Sequence, residues 1–297
     1  MKKFFLNVFI LVALFCLVSA EQINNESKNF LWEVSSDQGN KVYLFGSIHA
    51  VKQDIYPLPN TIMNTFENCD ALVVEADLTK INQNKIMELT QKNGIYPVGD
   101  SISNHISPEN NKILEKKLKN LELDIELFKT SKPWFLATVI ASAELLKIGY
   151  DPKNGIDMFF LDYADKLKKT IIELESAEYQ IELLSGFSPE IQEMFLMDTI
   201  ESYSDFETTL DTLVTTWQNG DEKGLEKIII REMNKNPDLK PLYDKLFRER
   251  NIEMSLKIEE FLTTDKKFFI VVGSGHLIGE DGIIEILKEK GYTIRQL

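Results

Sequence analysis

Histidine is scarce in this chain, with three residues in 297, and cysteine is scarcer, with two. Cys16 lies in an apolar N-terminal stretch that reads as a leader, which leaves Cys69 alone in the mature chain. No intramolecular disulfide and no thiolate zinc cage can then form, so the fold has to stand on its core. A buried, inert thiol is the reading of Cys69, because no base in the sequence is placed to activate it. Basic residues are in deficit, 33 against 47 acidic, and the net charge of −14 repels phosphate backbones and anionic lipid. Nucleic acid is therefore not expected as a partner. Also missing are an HExxH helix, a GxSxG nucleophile turn, a P-loop and a GxGxxG after the first strand.

Long apolar runs are confined to the N-terminus. Lys2 and Lys3 precede Phe4 to Val18, and small residues at Ser19 and Ala20 follow, the pattern of a secretory signal peptide cleaved after Ala20. Its apolar centre, Phe9 to Val18, is short for a permanent span, although an uncleaved anchor is the alternative. Phe15 is bulky for a position before a lipid-modified cysteine, which argues against lipidation at Cys16. The expected organisation is a signal peptide over 1–20, a polar lead-in over 21–29, and a single domain over 30–297 in a secreted or periplasmic protein. No stable membrane span is expected after cleavage.

What is present is an ordinary globular composition, 43% hydrophobic and 10% aromatic, with two related strand ends. Phe268 to Val272 is a continuous apolar run that fits a central parallel strand covered on both faces. It ends in Gly273, followed by His276. Val42 to Phe45 ends the same way in Gly46, followed by His49, so two of the three histidines occupy matching positions. Glycine at a strand end permits a sharp turn or a positive φ, and the imidazole is left at the sheet rim where α/β folds hold ligands.

Phe30 to Ser35 and Lys41 to Phe45 read as a hairpin about Asp37–Asn40. Asn60 to Asn68 has helical spacing. Ala71 to Val74 is a strand that delivers Glu75 and Asp77, and Thr170 to Leu174 is a further buried-strand candidate that ends in Glu175. Between them the pattern is mainly helical, with Pro133 opening a helix that is apolar all round and Trp134 assigned to packing. Asp157 falls in the first turn of another helix, where a carboxylate suits the dipole. Residues from about 188 to 262 read as a helical cap, and spacing alone makes Arg248, Arg250 and Asn251 a solvated helix face. His105 reads as a surface residue, and Tyr292 to Gln296 as an edge strand.

Strands ending in His49, Glu75, Glu175 and His276 would bring imidazoles and carboxylates together if they are parallel neighbours. Mixed nitrogen and oxygen donors suit a first-row divalent ion, Mn²⁺, Co²⁺, Fe²⁺ or Zn²⁺. Such an ion favours hydrolysis at ordinary pH. Glu75 or Glu175 would act as ligand or as base, and the sequence leaves both assignments open. Ser274 beside His276 is poorly placed as a nucleophile, two residues away on a tight turn.

The segments YLFGSIHA, LVVEADL, GIDMFFLDYA, IIELESAEYQ, RERNIEM and FFIVVGSGHLIGEDGIIEIL, taken in order, resemble the TraB/GumN family. That family includes the TIKI proteases and is similar in fold to ChaN-like and erythromycin-esterase-like proteins. The resemblance implies an α/β fold with a central, mostly parallel sheet flanked by helices and a helical insertion or cap, and metal-dependent peptidase activity of the TIKI kind. It places the metal on His49, His276 and Glu75, with Mn²⁺ or Co²⁺ favoured, and catalytic roles on Glu75, Glu175 and Arg250. Arg250 is expected to stabilise an oxyanion or bind a substrate carboxylate. Asn251, Gly46 and Gly273 are expected at the substrate, a peptide or a small molecule. Ser176 stands where a threonine is usual, and Glu173 where a glycine is common. The alternative within the same fold is a protein that binds haem, a metal or a peptide signal without turnover.

Overall fold

The structure is a computed structural model that describes residues 28–201 and 206–297. The proposed signal peptide and nearly all of the lead-in lie outside the described residues. Among the described residues no helix is long and apolar enough to cross a membrane.

Six strands form one sheet: β1 (Leu31–Ser35), β2 (Lys41–Ser47), β3 (Ala71–Val74), β4 (Thr170–Glu173), β5 (Phe268–Gly273) and β6 (Thr293–Gln296). Their spatial order is β4-β3-β5-β2-β1-β6. The expected hairpin is present, β1 pairing antiparallel with both β2 and β6. β2, β5, β3 and β4 are mutually parallel. The last of these in sequence, β5, inserts between β2 and β3, so the crevice at the strands' carboxyl ends opens beside it.

Burial follows from that order. Every residue of β3 and β5 is buried, as a strand with a neighbour on each side and helices on both faces requires. β4 differs from expectation. Its residues are exposed or half-buried, because it is the sheet edge; a short β-branched run reads alike in either place.

Two apolar cores flank the site. In the sheet core Phe269 packs against Phe45, Phe66 and Phe160, with ring centroids 5.6, 5.3 and 5.0 Å away. The second core is helical, and draws on Ile86, Leu114, Trp134, Leu136, Ile181 and Leu196, with Leu242 and Leu246. Trp134 is a packing residue as read, its indole donating to Asn93 O at 3.1 Å. Residues of the expected cap divide between the cores: Leu196 and Leu242 join the helical one, and Leu213, Trp217, Leu225 and Ile258 the sheet core.

One helical run joins the two. Leu242, Leu246, Arg250, Met254, Ile258 and Leu262 recur every fourth residue and are all buried. In a straight α-helix, positions four apart drift round the axis by about 40° at each step. The π-helical turn Asp244–Glu249, wound more loosely, takes up part of that drift. The stripe thus leaves the helical core at Leu246, crosses the site at Arg250, and enters the sheet core at Met254.

Phe269→Ala is expected to destabilise the protein by about 3–5 kcal/mol through lost burial and a cavity, measured as a lower urea midpoint at an unchanged slope. Burial pushes the Cys69 thiol up to about 12. In a Cys16→Ser background it should resist thiol reagents at pH 8 until the protein unfolds.

Candidate functional site

Each parallel strand ends at the same rim. Register aligns Ser47 with Gly273, Val271 with Val74, and Val74 with Glu173. The ladder continues past β4 with Leu174 N–H to Val74 O at 2.8 Å and Glu175 N–H to Glu75 O at 2.7 Å, which sets the two glutamates side by side. Glu173 accepts the backbone N–H of Asp77 at 2.7 Å. Asp77 itself closes its own turn onto Thr79 and pairs with Lys80, so it caps a loop.

Glu75 occupies the centre. Its Oε1 accepts the Gly273 N–H at 2.7 Å and lies 3.8 Å from His276 Nε2, while Oε2 accepts Arg250 Nη2 at 2.6 Å. Gly273 keeps an ordinary φ of −52°, so its contribution is space, not the conformational freedom expected. A Cβ there would lie 2.9 Å from His49 Nε2 and 3.4 Å from Glu75 Oε1. The two imidazoles, remote in sequence, are therefore linked through Gly273 and Glu75 by successive near contacts. Gly46 lies inside β2, buried, with its carbonyl accepting Trp217 Nε1 at 2.6 Å.

Arg250 is buried and grips both carboxylates. Its Nε donates to the two oxygens of Glu175 at 2.8 and 3.1 Å, Nη2 donates to Glu175 and Glu75, and Nη1 donates to Leu246 O at 3.0 Å. The solvated-face reading of this helix thus holds for Arg248, which is exposed and reaches Asp281, but not for Arg250 or Asn251. Four residues of spacing could not show which face the π turn directs inward. Among the described residues one of the guanidinium's five hydrogens, on Nη1, is left without an acceptor.

The histidines are held differently. Asn251 Nδ2 donates to Asp281 O at 2.8 Å, which turns its Oδ1 toward His276 Nδ1 at 2.6 Å. The ring proton then resides on Nδ1, and Nε2 keeps its lone pair toward Glu75. Burial, with the nearby charge of Arg250, lowers His276 to about 3, so the ring is neutral. His49 Nδ1 instead meets Asp157 Oδ2 at 2.7 Å, and Asp157 Oδ1 accepts the Ser47 hydroxyl at 2.8 Å. Burial would lower His49, but the carboxylates of Asp157 and Glu75 outweigh it and raise it to about 9. Burial would likewise raise Glu75; His276, which carries charge only once acid protonates it, with the standing charges of Arg250 and His49 and the Gly273 N–H, brings it down to about 2.

Asp157 is the residue that sequence reasoning missed. Its position in a first helical turn had a sufficient explanation in the dipole, and no local signal tied it to His49, 108 residues away. Gln180, whose Nε2 lies 3.4 Å from Glu75 and 3.3 Å from Glu175, was missed similarly. Ser274 donates its hydroxyl to Ser47 O at 2.9 Å and is buried. His105 stays at the surface, stacked on Tyr96 and paired with Asp100.

Among the described residues no three His, Cys, Asp or Glu side chains converge closely enough to hold a metal ion. Each ring is anchored through Nδ1, to Asp157 and to Asn251, an outer support of the kind that metal-binding histidines use. Glu75 Oε1, although bonded to Gly273, has a second lone-pair site.

Fold and rim together define a mostly parallel α/β scaffold with a histidine and carboxylate centre at its strand ends. The family model of the TraB/PrgY/gumN family matches residues 30–296, and the chain belongs to that family. It is similar to the uncharacterized protein YbaP of Escherichia coli (strain K12), 28% identical over 84% of this chain and 89% of the relative. It is also similar to Metalloprotease TIKI1 of Xenopus tropicalis, 21% identical over 94% of this chain and 63% of the relative, and to Metalloprotease TIKI1 of Homo sapiens, 22% identical over 91% and 62%. No solved structure matches the chain significantly.

Arg250→Ala leaves two buried carboxylates facing each other and is expected to cost about 3–5 kcal/mol. Glu75, held at about 2 against an ordinary 4.5, contributes stability that is complete above pH 4.5 and lost as pH falls toward 2. Without Arg250 its pKa rises, so the acid-unfolding midpoint of the variant should move to higher pH.

Proposed function

We propose that the protein is a divalent-metal-dependent hydrolase, a peptidase by its similarity to the TIKI metalloproteases, that acts as a secreted or periplasmic protein. One observation carries the reading: both imidazoles are fixed through Nδ1 by acceptors and offer Nε2 on either side of an ionised Glu75. Mn²⁺ or Co²⁺ is the preferred ion, and His49, His276 and Glu75 are the residues that would hold it. Such an ion, when bound, supplies Lewis-acid polarisation of a carbonyl and lowers the pKa of water.

The chain's own residues supply the rest. Glu175, beside Glu75 on the neighbouring strand end, is the carboxylate assigned to proton transfer. Arg250 holds the two glutamates at a fixed separation and offsets their charge, with one Nη1 hydrogen left for a substrate oxygen. Asn251 acts through His276, whose ring it orients. Gly273 keeps open the space between His49 and Glu75. His49, 20% exposed against 3% for His276, marks the side from which a substrate enters.

The test is metal analysis and peptide-library cleavage by the purified protein with Mn²⁺ or Co²⁺. Chelator should stop cleavage and added ion restore it, while His49→Ala and His276→Ala should each lose bound metal and activity. Full metal-dependent activity in both variants would overturn the ligand assignment. Stoichiometric metal retention with no cleavage of any peptide would assign the chain to binding without turnover.

A further inference from the structure

Asp157 does more than close a helix end. The segment that carries it runs beside the segment that carries His49: Asp151 N–H donates to Val51 O at 3.2 Å and Ile156 N–H to Ile48 O at 3.1 Å. Gly155 lies so close that a Cβ would stand 2.1 Å from the His49 carbonyl oxygen. No residue with a side chain fits there without moving one segment off the other. Next in line, the Asp157 carboxylate spends both oxygens on the same three-residue stretch, Oδ1 on the Ser47 hydroxyl and Oδ2 on the His49 ring. Asp157 is 9% exposed, whereas a carboxylate present only to suit the helix dipole needs nothing but water.

We propose that Asp157 is the positioning residue of His49: with Ser47 fixing the carboxylate and Gly155 admitting the helix end, it sets the ring's orientation and keeps Nε2 directed at Glu75 for a divalent cation. The inference rests on the metallohydrolase reading for its purpose, but not for its geometry. His276 is held by a neutral amide and His49 by an anion, so the two rings are not interchangeable. A carboxylate on the far nitrogen makes an imidazole the better donor, and removing such a partner typically weakens metal affinity by about 10–100-fold.

Asp157→Ala is therefore expected to weaken Mn²⁺ binding by about 10–100-fold, read by calorimetry on the metal alone. Asp157→Asn, whose amide oxygen can still accept the Nδ1 proton, should recover part of that loss. The control is Asp211→Asn. Asp211 ties a helix to the same pair of segments through Lys52 at 2.9 Å and Tyr150 at 2.7 Å without touching His49; its variant should melt lower yet bind Mn²⁺ as the wild type does. Wild-type affinity in Asp157→Ala, or an equal loss in Asp211→Asn, would overturn the proposal. A second readout needs no metal: the ¹⁵N and low-field proton signals of the His49 ring should report a bonded Nδ1–H in the metal-free wild type and lose it in Asp157→Ala. If the wild type binds no Mn²⁺ at all, the hydrolase reading fails, and these ring signals still decide the clamp. Unchanged signals in Asp157→Ala would sink it.

Discussion

A guanidinium taken out of water beside two carboxylates can be stable only if nearly every charge and hydrogen finds its partner. Arg250 meets that condition with Glu75, Glu175 and Leu246 O, and the arrangement around it follows. The two glutamates must end neighbouring parallel strands, as β3 and β4 do. The arginine must arrive from a helix that crosses the rim, and that helix must belong to both apolar cores. A sheet closed by apolar strand ends would have been easier to stabilise, because apolar replacements of buried ion pairs are often neutral or better. The charge cluster at the rim is therefore not explained by stability alone.

Around that cluster the two histidines take opposite roles from similar beginnings. Each follows a buried strand and a glycine, yet His276 is neutral and enclosed, and His49 is partly exposed against a carboxylate. The difference lies outside the sheet: Asn251 comes from the helix that carries Arg250, and Asp157 from a helix on the other side. The sheet supplies coincidence of place, and the helices supply orientation and charge. A scaffold of this kind can alter its chemistry by changing helix residues while keeping the strands.

The joint between helical and sheet cores passes through the same place. A spacing of four residues from Leu242 to Leu262 cannot stay on one face of a long α-helix, and the π turn just before Arg250 lets the stripe continue. Phe247, within that turn, lies 5.2 Å from the His276 ring. Site geometry and core packing are thus set by one local winding, and neither can change without the other.

Much of the fold was legible because buried parallel strands write themselves as apolar runs: β3 and β5, the hairpin, and the paired Gly and His endings all stood in the residues. So did the approach of Glu75, Glu175, His49 and His276, once the strands were taken as parallel. β4 misled, since a short β-branched run is the same string at an edge as in a centre. Gly273 is required for room and not for its dihedral freedom. Asp157 and Gln180 were invisible as site residues because their contacts span long sequence separations or cross between elements. The inward turn of Arg250 and Asn251 depended on a π turn that no periodicity announces. Composition, strand ends and family were thus determined by the amino-acid order, which fixes local pattern. Partner choice, protonation and the face a helix presents were decided only when distant segments met, because burial and charge at those atoms exist only in the packed state.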